Sequence, residues 1–345
     1  MSLNAAFRAS LLTLCCMIGT GARAETSLDA AQQLPVIAEQ EAGNHQGVFF
    51  GLFRPGLITD IAEEAPLDLR RKPASLMWFS RFGSSFPESA ARFLQQNDMV
   101  AHIAWEPWNA FGEGISLTDI AAGKWDEYLD TYARDAARVD IPVILRWGHE
   151  MNGNWYPWAL AKNDRKPDAY IQAFRHVVER FRKAGAHKVQ FAWCINNDSV
   201  PNEPWNHLTA SYPGDAYVDW VSIDGYNFGT SQSTSQWRSF EQTFRASYDA
   251  VTKIAPGKPI LIGEMASSEA GGNKAVWIRE MFKALPSMPA IRALTWFDIV
   301  KETSWNVDSS DASWLAMIEG LRAPWVRSSG AAMAAVTARK AAKPD

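Results

Sequence analysis

The chain has 345 residues, with 34 Lys and Arg against 38 Asp and Glu and a formal net charge of −4. This slightly acidic balance argues against a nucleic-acid or anionic-membrane partner, because both bind basic surfaces. Hydrophobic residues make up 47% of the chain and charged residues 21%, which excludes a disordered or membrane-embedded protein. The 16 tryptophans are unusual; most are expected in the core, although flat rings also suit flat ligands.

The first 24 residues have the pattern of a secretory signal. Arg8 precedes an apolar stretch at 9–18, and Ala22-Arg23-Ala24 provides an A-x-A cleavage site. We therefore expect cleavage after Ala24 and a secreted or periplasmic protein. No later segment has the roughly 20 apolar residues that a membrane helix requires, so no membrane anchor is expected.

Cleavage would remove two arginines and two of the three cysteines, which changes the net charge from −4 to −6 and leaves Cys194. No intramolecular disulfide is then expected. Cys15 or Cys16 could instead be a lipoprotein cysteine, but Leu14 stands where a small residue is expected. This alternative is the weaker one.

Apolar runs and helical patterns alternate along the rest of the chain. Strands are predicted at 48–53, 76–80, 99–105, 143–147, 189–195, 218–224, 259–262 and 293–297. Helices are predicted at 87–97, 117–139, 168–183, 237–254, 274–285 and 312–321. Eight such strands predict an α/β fold, a single-domain (β/α)8 TIM barrel over residues 25–322.

The main alternative is a doubly wound open sheet. A nucleotide-binding sheet of that kind normally has a Gly-rich phosphate loop after its first strand, and none occurs here. The barrel is therefore favoured. The Ala-rich segment 323–345 is predicted to be a flexible C-terminal tail.

Two predicted strands end in glutamate, Glu150 after the fourth and Glu264 after the seventh. In a barrel, functional groups collect at the carboxyl ends of the strands. Either glutamate alone could form a salt bridge, for example to Arg146. Two carboxyl groups facing each other across a cleft are what glycoside hydrolysis requires, one protonated and one charged. The competing acids at strand ends are Glu106, Asp224 and Asp298.

Aromatic residues gather at or just beyond the same strand ends, and their faces suit the C–H faces of sugar rings. For any single tryptophan among them, core packing is as good an interpretation as sugar binding. These residues are Trp105, Trp108, Trp155, Tyr156, Trp158, Tyr226 and Trp296.

Two other hydrolytic chemistries lack their sequence motifs. His149-Glu150 begins a zinc-protease pattern, but Gly153 stands where the second histidine is required. No G-x-S-x-G occurs for serine-based acyl transfer. We therefore expect no metal and no cofactor.

At these residues the sequence resembles glycoside hydrolase family 26, which groups β-mannanases, β-1,3-1,4-glucanases and β-1,3-xylanases. The resemblance extends from about Gly47 to Trp314. It rests on the specific run His149-Glu150-Met151-Asn152-Gly153, with support from Trp105-Glu106-Pro107-Trp108, Asp224-Gly225-Tyr226, Gly263-Glu264 and Thr295-Trp296-Phe297.

The resemblance implies a retaining enzyme with Glu150 as general acid/base and Glu264 as nucleophile. It also implies that His149 and Asn152 contact the sugar or orient Glu150, that Tyr226 hydrogen-bonds to the nucleophile, and that Trp296 lies beneath the reacting sugar. A carboxyl separation of about 5–5.5 Å would follow from retention.

The expected partner is a β-linked polysaccharide or oligosaccharide, and a monomer is favoured. Endo-acting hydrolysis of β-1,4-mannan ranks narrowly first because mannanase is the commoner activity in the family. One alternative is a β-1,3-1,4-glucanase, because the Trp-Glu-Pro-Trp segment at 105–108 resembles the glucanase-type members of the family. The others are a β-1,3-xylanase, an enzyme that processes a self-made exopolysaccharide, and a non-catalytic glycan-binding protein.

Overall fold

The computed structural model of the protein describes residues 47–337, and these form a closed parallel barrel. Each strand pairs with its sequence neighbours, and the first strand pairs with both the second and the eighth. The predicted barrel is thus confirmed. Its strands are β1 (Val48–Phe53), β2 (Ser75–Arg81), β3 (Val100–Glu106), β4 (Val143–Trp147), β5 (Val189–Asn196), β6 (Trp220–Asn227), β7 (Ile260–Ser267) and β8 (Ile291–Phe297).

Helices follow all strands except β5, which is followed by a single 3-10 turn at Pro204–Asn206, and they bury one apolar face against the outside of the barrel. They are α1 (Ile58–Asp68), α2 (Glu88–Gln96), α3 (Leu117–Ala121), α4 (Asp126–Val139), α5 (Asp168–Lys183), α6 (Phe240–Ile254), α7 (Lys274–Ala284) and α8 (Asp311–Leu321). Within the described residues, no helix combines the length and the apolar character needed to cross a bilayer.

Two helical segments differ from the prediction. The single helix expected at 117–139 is two helices, because Gly123 adopts a φ of 79° between them. Such a backbone ends a helix and is accessible to glycine at little cost. Helix α1 was not predicted, and it contains Pro66 within its span.

The bottom of the barrel, at the amino ends of the strands, is closed by the C-terminal segment. A two-residue strand, β9 (Val326–Arg327), pairs with β1, and a short helix, α9 (Gly330–Ala334), follows it. Met333 is fully buried against Phe49, Val100 and other inward-facing residues of the strands. The side chain of Gln190 also donates to the Ala334 carbonyl at 2.6 Å.

The prediction of a flexible tail at 323–345 is therefore wrong as far as residue 337. The physical reason is that the open end of the barrel exposes an apolar layer, which Met333 and Ala334 cover. The remaining residues of that predicted tail and the predicted signal at 1–24 lie outside the described residues.

Candidate active site

Glu150 lies in a tight turn immediately after β4. Gly148 and Glu150 both have positive φ, 56° and 55°, and a left-handed backbone is uncommon for a glutamate. The turn is anchored on both sides: the amide of Glu150 donates to the Cys194 carbonyl at 2.9 Å, and that of Gly148 donates to the Trp105 carbonyl at 3.0 Å. The carboxyl group of Glu150 thereby points towards the end of β5, where it contacts Asn196. Glu150 is only 7% exposed.

Glu264 faces the barrel because β7 contains an irregularity at Gly263. Ile223 pairs with Ile262, but Asp224 pairs with Glu264, so Gly263 is an extra residue on the β7 side. A bulge of this kind reverses the alternation of side chains beyond it. Glu264 consequently lies beside the inward-facing Asp224 instead of among the helices.

A buried arginine connects the two neighbouring carboxylates. Arg146 of β4 is fully buried and forms ion pairs with Asp224 and Glu264. Burial opposes the charge on Arg146, but the two carboxylates outweigh it and hold its pKa well above the ordinary value. Tyr226 donates to the other oxygen of Glu264 at 2.6 Å. Glu264 thus accepts hydrogen bonds on both oxygens, and such donors stabilise a carboxylate anion.

Glu150 has a different environment from Glu264. Its two oxygens accept from the Trp155 indole at 2.8 Å and from the Asn196 amide at 2.9 Å. Burial and then the charge of Glu264 raise the pKa of Glu150 to about 7, against the smaller opposing effect of these two donors. At neutral pH a large fraction of Glu150 is therefore protonated.

Two further residues of the His-Glu-Met-Asn run, Asn152 and His149, contact the neighbours of Glu150. Asn152 is buried and forms two hydrogen bonds with the backbone of Asn196. Its side-chain amide donates to the Asn196 carbonyl at 2.9 Å, and its side-chain oxygen accepts from the Asn196 backbone amide at 2.8 Å. Asn152 thereby positions Asn196, whose side-chain amide donates to Glu150. His149 lies 3.0 Å from the Tyr156 hydroxyl, and burial followed by the charge of Arg146 lowers its pKa well below the ordinary value, so the ring is neutral.

Three of the predicted sugar-binding tryptophans are fully buried, at 0% exposure, and cannot contact a substrate. Trp105 stacks on Tyr132 of α4 at 4.4 Å, because its position on β3 faces the helices. Trp158 stacks on Tyr156 and donates to the His149 carbonyl. Trp296 packs against Trp277 of α7 and donates to the Trp305 carbonyl at 3.0 Å, so it does not lie beneath the reacting sugar.

The remaining predicted aromatic residues are half-buried, and they are Trp108, Trp155, Tyr156 and Tyr226. At the end of β8, Phe297 faces the site in place of Trp296. Its ring stacks on Phe53 at 4.3 Å and meets Tyr226 edge-on at 5.6 Å. Strand alternation is the reason, since consecutive residues of β8 face opposite sides.

Asn196 and Trp305 belong to the site and were not predicted. Asn196 is the last residue of β5, so the rule that functional groups lie at strand ends could have found it. Trp305 lies in the loop after β8, where its ring packs 5.0 Å from Tyr226 and its indole donates to Glu302 at 3.0 Å. A loop contact of this kind has no periodic sequence signal.

The three competing acids occupy different environments. Asp224 supports Arg146 and is fully buried, which raises its pKa against the opposing charge of that arginine. Asp298 forms an ion pair with Arg54 at 2.7 Å and accepts from the Val307 amide, so it fastens a loop. Glu106 lies at the mouth of the barrel, close enough to Glu264 for the charge of that residue to raise its pKa.

His149, Asp224 and Glu264 also offer ligand atoms within 4.8 Å of one another. These are residue types that bind metals. The guanidinium of Arg146 already bonds to both carboxylates, however, and like charges at this distance repel. The arrangement therefore fits a fixed arginine better than an added cation.

Comparison with known proteins shows that this chain is similar to glycoside hydrolases. A model of the family described as "Glycosyl hydrolase family 26" matches residues 120–300. Endoglucanase H of Acetivibrio thermocellus is 41% identical over 250 residues, which cover 71% of this chain and 27% of that protein. The β-1,3-xylanase TXYA of a Vibrio species is 29% identical over 41% of this chain and 31% of its own length. The chain thus spans about a third or less of the length of these two relatives.

Solved structures with the same fold include two mannanases. An endo-β-1,4-mannanase from Cellulomonas fimi superposes with a TM-score of 0.62 at 19% identity, covering 87% of this chain and 76% of that one. A β-mannanase from Bacteroides ovatus has a TM-score of 0.61 at 16% identity, covering 89% and 96%. At these identities the likeness concerns the barrel itself.

Proposed function

Because this chain belongs to glycosyl hydrolase family 26, we propose that it is an endo-acting β-glycan hydrolase that works by a two-glutamate double displacement. One observation carries the proposal: the two buried glutamates, one in the turn after β4 and one within β7, have opposite environments. Glu264 accepts from Arg146 and Tyr226, whereas burial and the charge of Glu264 raise the pKa of Glu150 to about 7. Such a divided pair suits one nucleophile and one acid.

In the first step Glu264 attacks the anomeric carbon while Glu150 gives its proton to the departing glycosidic oxygen. The chain is cut and a glycosyl ester forms on Glu264. Esterification removes the charge of Glu264, which is one of the causes of the raised pKa of Glu150. The pKa of Glu150 then falls, so Glu150 can accept a proton from water.

In the second step that water attacks the ester and restores Glu264, while Glu150 regains its proton. Two inversions at the same carbon give net retention. Proton NMR of the first product formed from a β-linked substrate tests this outcome. A β-anomer is expected, and an α-anomer as the initial product would contradict the mechanism.

For the substrate we favour a β-glucan over β-1,4-mannan. The relative named Endoglucanase H is 41% identical over 71% of this chain, whereas the mannan endo-1,4-β-mannosidase of Bacillus subtilis is 26% identical over 48% of it. Mannan stays the second candidate because several relatives and solved structures bear the mannanase name. The loops at the cleft decide between these polymers, which differ at the sugar 2-hydroxyl and in chain shape.

The test is release of reducing sugar by the protein from barley β-glucan, galactomannan, β-1,3-xylan and cellulose. We expect release from β-glucan and a loss of at least about 10³-fold in Glu264→Ala, because no covalent intermediate can then form. The exposed Glu63→Ala variant is the matched control and should keep full activity. No release from any polymer would favour an unusual exopolysaccharide or a glycan-binding role.

We further propose that the first 24 residues direct export and are removed after Ala24. The Arg8, apolar and Ala-x-Ala pattern supports this. The intact mass of protein recovered from the periplasm or the medium tests it. A mature N-terminus at Glu25 is expected, and a lipid-modified Cys15 or Cys16 would show the alternative processing.

A further inference from the structure

Glu106 places a third carboxyl group at the mouth of the barrel. It is the last residue of β3, and it shares the inward face of that strand with His102 and Ala104. Ala104 pairs with Arg146 on the adjacent strand, so Glu106 lies one layer above that arginine. Only 7% of Glu106 is exposed, and that fraction lies at the end of the strand where the barrel opens.

The side chain of Glu106 is not needed to build its own loop. The loop uses the backbone, since the Glu106 carbonyl accepts from the amides of Phe82 at 3.0 Å and Trp108 at 2.9 Å. None of the salt bridges among residues 47–337 includes Glu106. Burying a carboxyl group without an ion pair is costly, so a purely structural role would be served better by an apolar residue.

The surroundings of Glu106 favour the protonated form of its carboxyl group. Burial and then the charge of Glu264 raise the pKa of Glu106 to about 8, while Arg146, a hydrogen bond from the Trp108 side chain and the more distant Lys301 oppose the shift. Tyr156 is a further titratable group close to Glu106, and Arg81 of β2 is its paired residue on the adjacent strand. Below about pH 8 the carboxyl group is therefore neutral and presents one O–H donor together with acceptor oxygens.

We propose that Glu106 is a substrate-contacting residue, and that its carboxyl group binds hydroxyl groups of the sugar ring seated against Trp108. The inference rests on the proposed function. A sugar hydroxyl both donates and accepts, so a neutral carboxyl group complements it, whereas an ionised one could only accept. Trp108 offers a half-buried ring beside it for the C–H face of the same sugar.

The same geometry separates Glu106 from the proposed catalytic pair. Glu150 and Glu264 already supply the acid and the nucleophile, and the double displacement uses no third carboxyl group. An ionised Glu106 would add a second negative charge beside Glu264. A neutral Glu106 can bind the sugar without placing another charge beside Glu264. It therefore affects the specificity and the affinity of substrate binding.

The experiment measures oligosaccharide affinity by calorimetry in a Glu150→Gln background, which slows hydrolysis and keeps the charge of Glu264. The probes are a mixed-linkage glucotetraose and a β-1,4-mannotetraose. Adding Glu106→Ala is expected to weaken binding of the preferred tetraose about tenfold, the worth of a buried hydrogen bond. Adding Glu106→Gln, which keeps a donor and an acceptor, should leave it within about threefold.

The pH dependence gives a second readout that a structural role would not move. In the Glu150→Gln background, affinity should fall as the pH rises through about 8, because Glu106 then loses its proton. With Glu106→Gln that decline should disappear, since an amide does not titrate. Thermal unfolding of each variant verifies that the protein is folded under the conditions used.

The outcomes are distinguishable from those that test the proposed function. If the unmodified protein hydrolyses a polymer but Glu106→Ala binds the tetraose as tightly as its parent, only the role of Glu106 is overturned. Equal weakening by Glu106→Ala and Glu106→Gln would also overturn it. If no polymer is cut and neither tetraose binds, the proposed function fails and the role of Glu106 fails with it.

Discussion

At the scale of single residues, the site shows how the same side chain acquires different properties. Glu150 and Glu264 are both glutamates with almost equal exposure, 7% and 6%. Glu264 accepts from a cation and a phenol, whereas Glu150 accepts from an indole and an amide, which are neutral donors. A hydrogen bond from a charged donor is stronger than one from a neutral donor, so the two glutamates have different electrostatic surroundings although they are equally buried.

The indole of Trp155 is expected to set the basic limb of the pH–activity profile. Its hydrogen bond lowers the pKa of Glu150 and so opposes the rise caused by burial and by Glu264. Trp155→Phe keeps an aromatic face and removes the donor, so the pKa of Glu150 should rise. Because the first step needs protonated Glu150, the basic limb of kcat/KM, near pH 7 in the unmodified protein, should move to higher pH.

The measurement is kcat/KM against pH for both proteins on the preferred polymer. The unmodified protein provides the reference limb, and Glu63→Ala should reproduce it. A limb that stays in place or moves to lower pH in Trp155→Phe would show that the indole does not stabilise the charged form of Glu150.

At the scale of elements, the position of Glu264 depends on the bulge in β7. Regular alternation from Leu261, which faces inward, would direct Gly263 inward and Glu264 outward. The extra residue at Gly263 brings Glu264 inward as well. Gly263 is necessary because a Cβ there would lie 2.6 Å from the oxygens of both Asp224 and Ser222.

Gly263→Ala should therefore cost activity and stability together. Its methyl group must displace Asp224 or the bulge, and overpacking of this kind costs about 1–3 kcal/mol. Displacing Glu264 by even 1 Å should lower kcat on the order of 10²-fold. Urea unfolding and reducing-sugar assays of the same preparation measure the two effects.

Gly257→Ala is the matched control for this prediction. Gly257 also has no side chain, but its added Cβ would meet no atom within 4 Å, and only its φ of 84° would be strained. It should lose about 1 kcal/mol of stability and no activity. Full activity in Gly263→Ala would contradict the role of the bulge.

At the scale of the whole molecule, the two ends of the barrel have separate tasks. The carboxyl ends of the strands hold the charged site, and the amino ends hold an apolar layer sealed by α9. In barrels of this type, residues at the bottom face contribute stability and not chemistry. The C-terminal segment is thus part of the folded domain, although it lies far along the chain from the strands that it covers.

Met333→Ala should test this division. Truncating a fully buried methionine is expected to lower the free energy of unfolding by about 2–4 kcal/mol, from lost burial and the cavity that remains. Activity at 25 °C should not change, because the site lies at the opposite end. Met333→Leu, which nearly conserves volume, should cost less than about 1.5 kcal/mol.

Urea unfolding curves and activity at 25 °C, measured for both Met333 variants, test this prediction. An Ala variant as stable as the unmodified protein would show that α9 does not seal the barrel. A fall in activity at full folding would show instead that the bottom layer affects the site.

The sequence by itself determined the barrel and the two glutamates of the site. Alternating strand and helix patterns are local signals, and eight of them close a barrel. A glutamate that follows an apolar run is also visible without a structure, although β7 extends to Ser267 and so contains Glu264, while Glu150 lies three residues beyond β4. Both signals arise from residues close together along the chain.

Only the tertiary structure decided which neighbours surround those glutamates. The sequence named Arg146 as a possible ion-pair partner, but only the structure shows that it joins Asp224 to Glu264. The structure likewise shows that Asn196 of β5 donates to Glu150 and that Trp305, in the loop after β8, packs against Tyr226. Trp105, Trp158 and Trp296 were assigned to the sugar because their ring type suits one, yet a ring faces either the core or the cleft according to strand alternation and turn geometry. Side-chain chemistry is local, whereas the direction of a side chain and its partners depend on the packing of distant segments.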